Sequence, residues 1–328
     1  MYNFKDSIDM ETYQRVDEYP QQRYKFSLIN LPETYTKDDN PFFEFKEVTV
    51  CPYIHYGEYV AYKLAQKIGI NCCKVDLFRR KIDKGYREYQ DAALSYYDLS
   101  SDEEIVNPYS MISKYAERNN YVHFPLNIEL LFNAVYQRFM DENRPQEEFD
   151  NFRRDFIRMM VFDVRFGNFD RGIENWLFKR NKQTGEYSLY PMFDNEAILG
   201  FSAYNVEAQK SNDFIQAYNE RLPFRVVPPH TNYGEINMIN GYSVYKYLLN
   251  TYPQETIEAT EMVNRVSYED FEAILNELPL MDEKFSVFTR KNFLYREKRM
   301  EKIYEDYTKQ EEQKKLTKTL EAVEDEER

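Results

Sequence analysis

GNFDRGIENWLF, residues 167–178, joins an apolar segment, FIRMMVFDVRF (156–166), to a stretch that reads as a strand. Inside it sit Asp170 and, five residues on, Asn175. Taken alone, the pair is turn chemistry, because Asp and Asn side chains satisfy nearby backbone N–H groups in loops. A D-x-x-x-x-N match also occurs by chance in many chains. What the pair means is set by the elements around it.

Upstream, residues 146–166 carry helical periodicity, and the last part is apolar almost all round, as in a helix buried in a core. Downstream, WLFKR, NKQTGE and YSLYPMF over 176–193 predict a hairpin with Gly185 in its turn, leading to Phe193–Asp194. Trp176, the single tryptophan, is expected to bury against the helix ending at Phe166. Nearer the N-terminus, RYKFSLI (23–29) and FFEFKEVTV (42–50) read as strands, the second holding Lys46, with a turn-rich LPETYTKDDNP (31–41) between them. GEYVAYKLAQKIGI (57–70) switches to helical spacing, and Gly69 is placed to end that helix. CKVDLFRRK and YREYQDAALSYY return to strand pattern within 74–97, with a turn near Asp83–Gly85; SSDEEIVNP (100–108) reads as a loop.

The remainder is mostly helical. Asn127 predicts an N-cap, a long irregular segment carries Pro223, Pro228 and Pro229, and Ser267 with Asp270 forms a capping signal. A long helix is expected from about Glu283, with the last twenty charged residues frayed or an exposed helix. The fold class is therefore α+β and bilobal: a small β-rich N-lobe with one main helix (1–95), a larger helical C-lobe (96–308) and a charged tail (309–328).

Composition bounds the function. The 328 residues suffice for two cores, and 42% hydrophobic with 17% aromatic content argues for a folded chain. A net charge of −14 argues against a general nucleic-acid or anionic-membrane surface. Three cysteines, Cys51 and the Cys72–Cys73 pair, have no framework or zinc spacing, which predicts free thiols, a reducing cytoplasmic setting, and packing beneath a strand for the vicinal pair. The N-terminus has no apolar leader segment.

The order of these pieces is that of protein kinases: a strand lysine, a helix, a buried helix delivering an aspartate five residues before an asparagine, a hairpin, and a second aspartate. Phosphoryl transfer needs a carboxylate beside the acceptor hydroxyl and hard oxygen ligands for magnesium on the phosphate side. VFDVRFGNFDRGIENWLF with YPMFDNEAILG resembles the catalytic core of HipA-like kinases, and within them the small CtkA-type bacterial Ser/Thr kinases. EFKEV followed by GEYVAYKLAQKIGINCCKVDL resembles the family's small lobe, and FEAILNELPLMDEKFSVFTRKNFLYREKRMEKI is similar to its C-terminal helices. The resemblance spans roughly residues 20–305.

The resemblance implies an ATP- and Mg2+-dependent Ser/Thr protein kinase. Lys46 would contact ATP phosphates, Asp170 would be the catalytic aspartate, and Asn175 and Asp194 would bind magnesium. Glu58 would pair with Lys46, and the adenine would lie near Leu94 and Tyr96 at the link between lobes. The implied partners are a protein acceptor, the chain itself among the candidates, and an antitoxin; no direct nucleic-acid or membrane contact is implied. Two departures stand out: Gly172 follows Arg171 where the family has a histidine, and NLPETYTKDDNP (30–41) contains no glycine. The second motivates an alternative, a nucleotide-binding pseudokinase or interaction module. A kinase for a lipid or small molecule is a further alternative, since phosphatidylinositol kinases share the D-R-x-x-x-N arrangement.

Overall fold

The computed structural model describes residues 5–6, 34–35, 43–47, 53–81, 89–96, 99–119, 127–203, 211–229, 231, 239–278 and 281–326. Side chains are described from residue 53 onward, except at 78–92, at 94 and beyond 322. The strand expected at 23–29 and the turn near Asp83–Gly85 lie outside these residues.

Two four-stranded sheets organise the chain. The first has the order β1-β4-β5-β3, from Lys5–Asp6 (β1), Lys74–Lys81 (β4), Tyr89–Tyr96 (β5) and Phe43–Glu47 (β3). β1 runs parallel to β4, and the other pairings are antiparallel. Helix α1, Ile54–Ile68, packs across β3, β4 and β5. It starts three residues before the expected Gly57 and ends, as expected, at Gly69 in the left-handed conformation (φ 75°).

The second sheet, order β2-β6-β7-β8, is antiparallel: Thr34–Tyr35 (β2), Glu103–Val106 (β6), Phe178–Asn181 (β7) and Tyr187–Leu189 (β8). The expected hairpin is β7–β8, and Gly185 in its turn has φ 71°. Two readings change here. Residues 103–106 form a strand because β7 supplies a partner 76 positions away, from Glu104 to Arg180, which local pattern cannot show. Thr34–Tyr35, in the turn-rich stretch, pairs with the other edge of the same strand.

Helix α4, Gln146–Phe166, is the axis of the helical part and packs against α3 (Ile128–Asp141), α6 (Gly241–Thr251), α7 (Pro253–Val263), α9 (Glu283–Glu326) and β8. From Phe156 to Phe166 its side chains are buried apart from Arg158. The Asn127 cap is present, its side chain accepting from Leu130 N–H at 2.8 Å. The Ser267–Asp270 capping box opens α8, Tyr268–Glu277. Helices α2 (Pro108–Arg118), capped by Asn107, and α5 (Asn212–Arg221), capped by Ser211, also form, the latter inside the stretch expected to be irregular. Helix α9 continues through residue 308 to Glu326 without a break, exposed over most of its length beyond Ile303.

Trp176 packs as expected, its ring 5.1 Å from Phe156 at 77° and 6.1 Å from Phe152. Phe156 also meets Phe132 at 5.7 Å and 79°, so it joins α3, α4 and the segment leading into β7. Such edge-to-face contacts add to the burial of each ring. Phe156→Ala is therefore expected to cost about 3–5 kcal/mol. A urea titration followed by the fluorescence of Trp176 measures it.

Candidate active site

Helix α4 ends at Gly167 in the left-handed conformation (φ 77°), where the chain must turn sharply away from the helix axis. Asp163, one turn back, receives the emerging loop: its carbonyl accepts from Gly167 and Asn168 N–H, and its carboxylate accepts from the Asn168 side chain at 3.0 Å. The same carboxylate is bound by Arg171 at 2.8 and 3.1 Å.

Arg171 is fully buried, and all five of its N–H donors are used. Two go to Asp163. The other three go to the Asn175 carbonyl (2.6 Å), the Phe193 carbonyl (2.7 Å) and the Asn195 side chain (2.5 Å). One guanidinium thus binds the end of α4, the loop after it, and both neighbours of Asp194. Burial works against the charge of Arg171, but the carboxylate of Asp163 outweighs it and holds the group charged. Burial pushes the Asp163 carboxyl up, against the pull of Arg171.

Asp170 lies at the surface of this block, partly buried, with its Oδ1 2.6 Å from Nε of Arg225. Asn175 is buried, and its Nδ2 donates to the Asp170 carbonyl, leaving Oδ1 as the amide's acceptor. The two residues singled out in the sequence are therefore neighbours in one short loop, closed by a single 3-10 turn at Ile173–Asn175.

Asp194 is buried with φ 54°, a conformation uncommon for a residue with a side chain. Its carboxylate meets those of Glu58 and Glu196, one oxygen of each lying within 4.8 Å of the others. All three are buried. Glu58 reaches this place because Gly57 sits directly on the backbone of Glu196, where a Cβ would overlap the Glu196 carbonyl. Helix α1 is held there from outside. The Tyr53 ring packs 4.5 Å from Phe285, Tyr59 donates to Glu277 at 2.5 Å, and Lys67 meets Asp270 at 2.7 Å. Backbone stitching completes the seat: Cys73 N–H donates to Met192 carbonyl and Met192 N–H to Asn71 carbonyl, both at 2.9 Å.

The expected positions sort as follows. Asp170, Asn175, Asp194 and Glu58 come together in the block organised by Arg171 and its neighbours. Lys46 lies on β3 opposite Ala93 of β5, within the sheet that α1 covers; its side chain is outside those described. Leu94 is inside β5, paired with Asp76 on one side and Phe45 on the other, and Tyr96 is the strand's last residue. β5 is paired on both edges up to Tyr96, which meets Phe43 of β3 and Lys74 of β4. Cys73 packs beneath the second sheet with Leu99, Ile105, Leu177, Tyr190 and Phe193. Cys72 does not share that position: its sulfur accepts from the Asn195 side chain at 3.7 Å, and burial, then Cys73 and Glu58, pushes its thiol up. Sequence reasoning missed Asp163, Glu196 and Arg225, and noted Arg171 only as the residue before Gly172. The one local signal was D-x-E at 194–196, which puts two carboxylates at short range.

The fold is that of a bilobal, kinase-like protein. The family profile of phosphatidylinositol 3- and 4-kinases matches residues 106–224. A 132-residue stretch is 30% identical to the serine/threonine-protein kinase CtkA of Helicobacter pylori, covering 39% of this chain and 38% of that kinase. The crystal structure of the H. pylori proinflammatory kinase CtkA superposes with a TM-score of 0.62 at 20% identity, over 82% of this chain and 91% of that one. HipA of the Shewanella oneidensis MR-1 toxin–antitoxin complex with HipB and operator DNA is less alike: TM-score 0.46, 15% identity, 77% of this chain and 57% of that one. The chain is thus CtkA-like in fold over most of its length, and the two sequence matches support a kinase-like function. Among the described residues no helix is long and apolar enough to cross a membrane.

Two substitutions test the construction. Asp163→Ala leaves the buried Arg171 charge without its partner and is expected to cost about 3–5 kcal/mol in a denaturant titration. Gly57→Ala is expected to push α1 off the 194–197 segment and lower the melting temperature; an unchanged melting temperature would show that the close approach is not required.

Proposed function

We propose that the chain is an ATP- and Mg2+-dependent phosphotransferase acting on Ser/Thr hydroxyls of a protein. The observation that carries the reading is the linkage through Arg171. The loop bearing Asp170 and Asn175, and the segment bearing Asp194, are bound to one guanidinium, so the acceptor side and the phosphate side are set at fixed separation. Phosphoryl transfer asks a protein for little covalent chemistry, and fixed placement of the reacting groups, with electrostatic stabilisation, is most of what it supplies.

Asp170 takes the acceptor role: its carboxylate orients the hydroxyl and receives its proton. The hydroxyl oxygen bonds to the γ-phosphorus as the bond to the bridging oxygen breaks, and ADP leaves. Glu58, Asp194 and Glu196 form a set of hard oxygen donors suited to Mg2+, and Oδ1 of Asn175 is a donor of the same kind. When bound, the cation supplies charge neutralisation at the phosphates. This reading moves Glu58 from partner of Lys46 to member of the carboxylate set; Lys46 keeps its role at the ATP phosphates, and the adenine falls beside the link after Tyr96. Residues 1–95 and 96–308 are the two lobes and 309–328 the charged tail, of which 309–326 continues α9. The setting is cytoplasmic, with the chain itself among the acceptors and an antitoxin as a partner.

A second reading rests on the phosphatidylinositol kinase match over 106–224, which makes a lipid hydroxyl the acceptor. The net charge of −14 disfavours an anionic bilayer as its home. One assay separates the two. Labelled ATP and Mg2+ are supplied with the protein alone, with dephosphorylated casein, and with phosphatidylinositol vesicles. Label on the chain or on casein, lost in Asp170→Ala and on chelation of Mg2+, is the expected result. Label only on lipid establishes the second reading, and no label in any arm overturns both.

A further inference from the structure

Arg225 reaches into the candidate active site from residues 223–227, outside the loop that bears Asp170. Its Nε lies 2.6 Å from Asp170 Oδ1, and its Nη1 donates to Glu174 Oε1 at 2.7 Å. A single guanidinium therefore bridges two carboxylates of the same loop, one of them the proposed acceptor-side base. The side chain is about half exposed, and Nη2 has no partner among the described residues.

Exposed ion pairs contribute little to stability, so this bridge is not what holds the fold together. Its backbone, by contrast, is firmly placed. Phe224, Val226 and Val227 on either side of Arg225 are buried. Phe224 N–H donates to Ile239 carbonyl at 2.8 Å, and Val227 carbonyl accepts from Ile128 N–H at 3.0 Å. Bridges from Pro223 to Asn240 and from Asn127 to Val227 bracket the residue. Arg225 is thus the outward-facing position of a short segment pinned at both ends, and the direction in which it points is the direction of Asp170.

Within the loop, Asp170 is the partly exposed member. Its backbone carbonyl is held by Asn175 and Arg171 holds the Asn175 carbonyl, but neither contact fixes the Asp170 carboxylate. The guanidinium of Arg225 does reach it: with Nε beside Asp170 Oδ1 and Nη1 on Glu174 Oε1, its rigid fork ties the Asp170 carboxylate to a second carboxylate of the same loop. Lysine, a point charge on a flexible stem, cannot bridge two carboxylates in the same manner.

We propose that Arg225 is a positioning residue for phosphoryl transfer: it orients the Asp170 carboxylate toward the acceptor hydroxyl from a segment outside the catalytic loop. The inference rests on the kinase reading above. It places the acceptor at the face of Asp170 next to residues 223–227, so that this segment is one wall of the acceptor site.

The test is the rate of labelled-phosphate transfer from ATP to the chain itself and to dephosphorylated casein, for wild type, Arg225→Ala, Arg225→Lys and Asp170→Ala. Arg225→Ala is expected to lower kcat about 10- to 100-fold, as misplacement of a reacting group does. KM for ATP is expected to stay within about twofold, since the nucleotide side is untouched. The melting temperature is expected to stay at the wild-type value, Arg225→Lys to fall between, and added guanidinium to restore part of the Arg225→Ala rate, which a merely structural role would not allow. Wild-type kcat in Arg225→Ala, or a loss that appears in KM for ATP or in melting temperature instead, overturns the proposal and leaves the kinase reading intact. A wild type that transfers no more phosphate than Asp170→Ala overturns the kinase reading and the proposal with it.

Discussion

A buried guanidinium with every donor engaged is the constraint on which the rest of the site depends. Taking a charge out of water is costly, and the cost is met only when the partner charge and the hydrogen bonds are all in place. Arg171 meets it with Asp163 on one side and three oxygens from two later segments on the other. Those oxygens cannot drift without stranding a buried donor, so the loop after α4 and the segment around Asp194 are held as one piece. The arrangement is asymmetric in its consequences: losing Asp163 strands a fully buried cation, whereas losing the half-exposed Arg225 leaves Asp170 still in reach of water.

A second constraint acts from the opposite side. Helix α1 sits on the Glu196 backbone through Gly57 and is clamped from outside by Tyr53, Tyr59 and Lys67 on the C-terminal helices. This clamp delivers Glu58 to Asp194 and Glu196. The result is three buried carboxylates at mutual short range, which repel one another unless a cation or proton lies among them. The stitch between Asn71–Cys73 and Met192 brings the first sheet to the same place, so the small lobe and the helical part meet where the acids cluster. Packing and site chemistry here are the same contacts viewed from two sides.

Much of this was legible in the chain. Periodicity and capping residues gave α1, α3, α4 and α8, because a helix face and its ends are written in neighbouring residues. The β7–β8 hairpin was legible for the same reason. β6 was not, since its partner lies 76 positions on, and α5 was hidden in a stretch dominated by prolines that lie after it. Arg171 entered the sequence reading only as the residue before Gly172; its buried hydrogen bonds showed that it organises the motif.

The sequence by itself determined the order of the chemical groups: a strand lysine, a helix with Glu58, Asp170 five before Asn175, then Asp194 after a hairpin. It determined them because each rests on local spacing that the backbone period translates directly into a face or a turn. Tertiary structure decided what each group meets. It took Glu58 to Asp194 and Glu196, set Arg225 on Asp170 from 55 positions away, and kept Leu94 within a strand paired on both edges. Those outcomes depend on which surfaces pack together, and no period in a single chain segment records the surface that another segment will present.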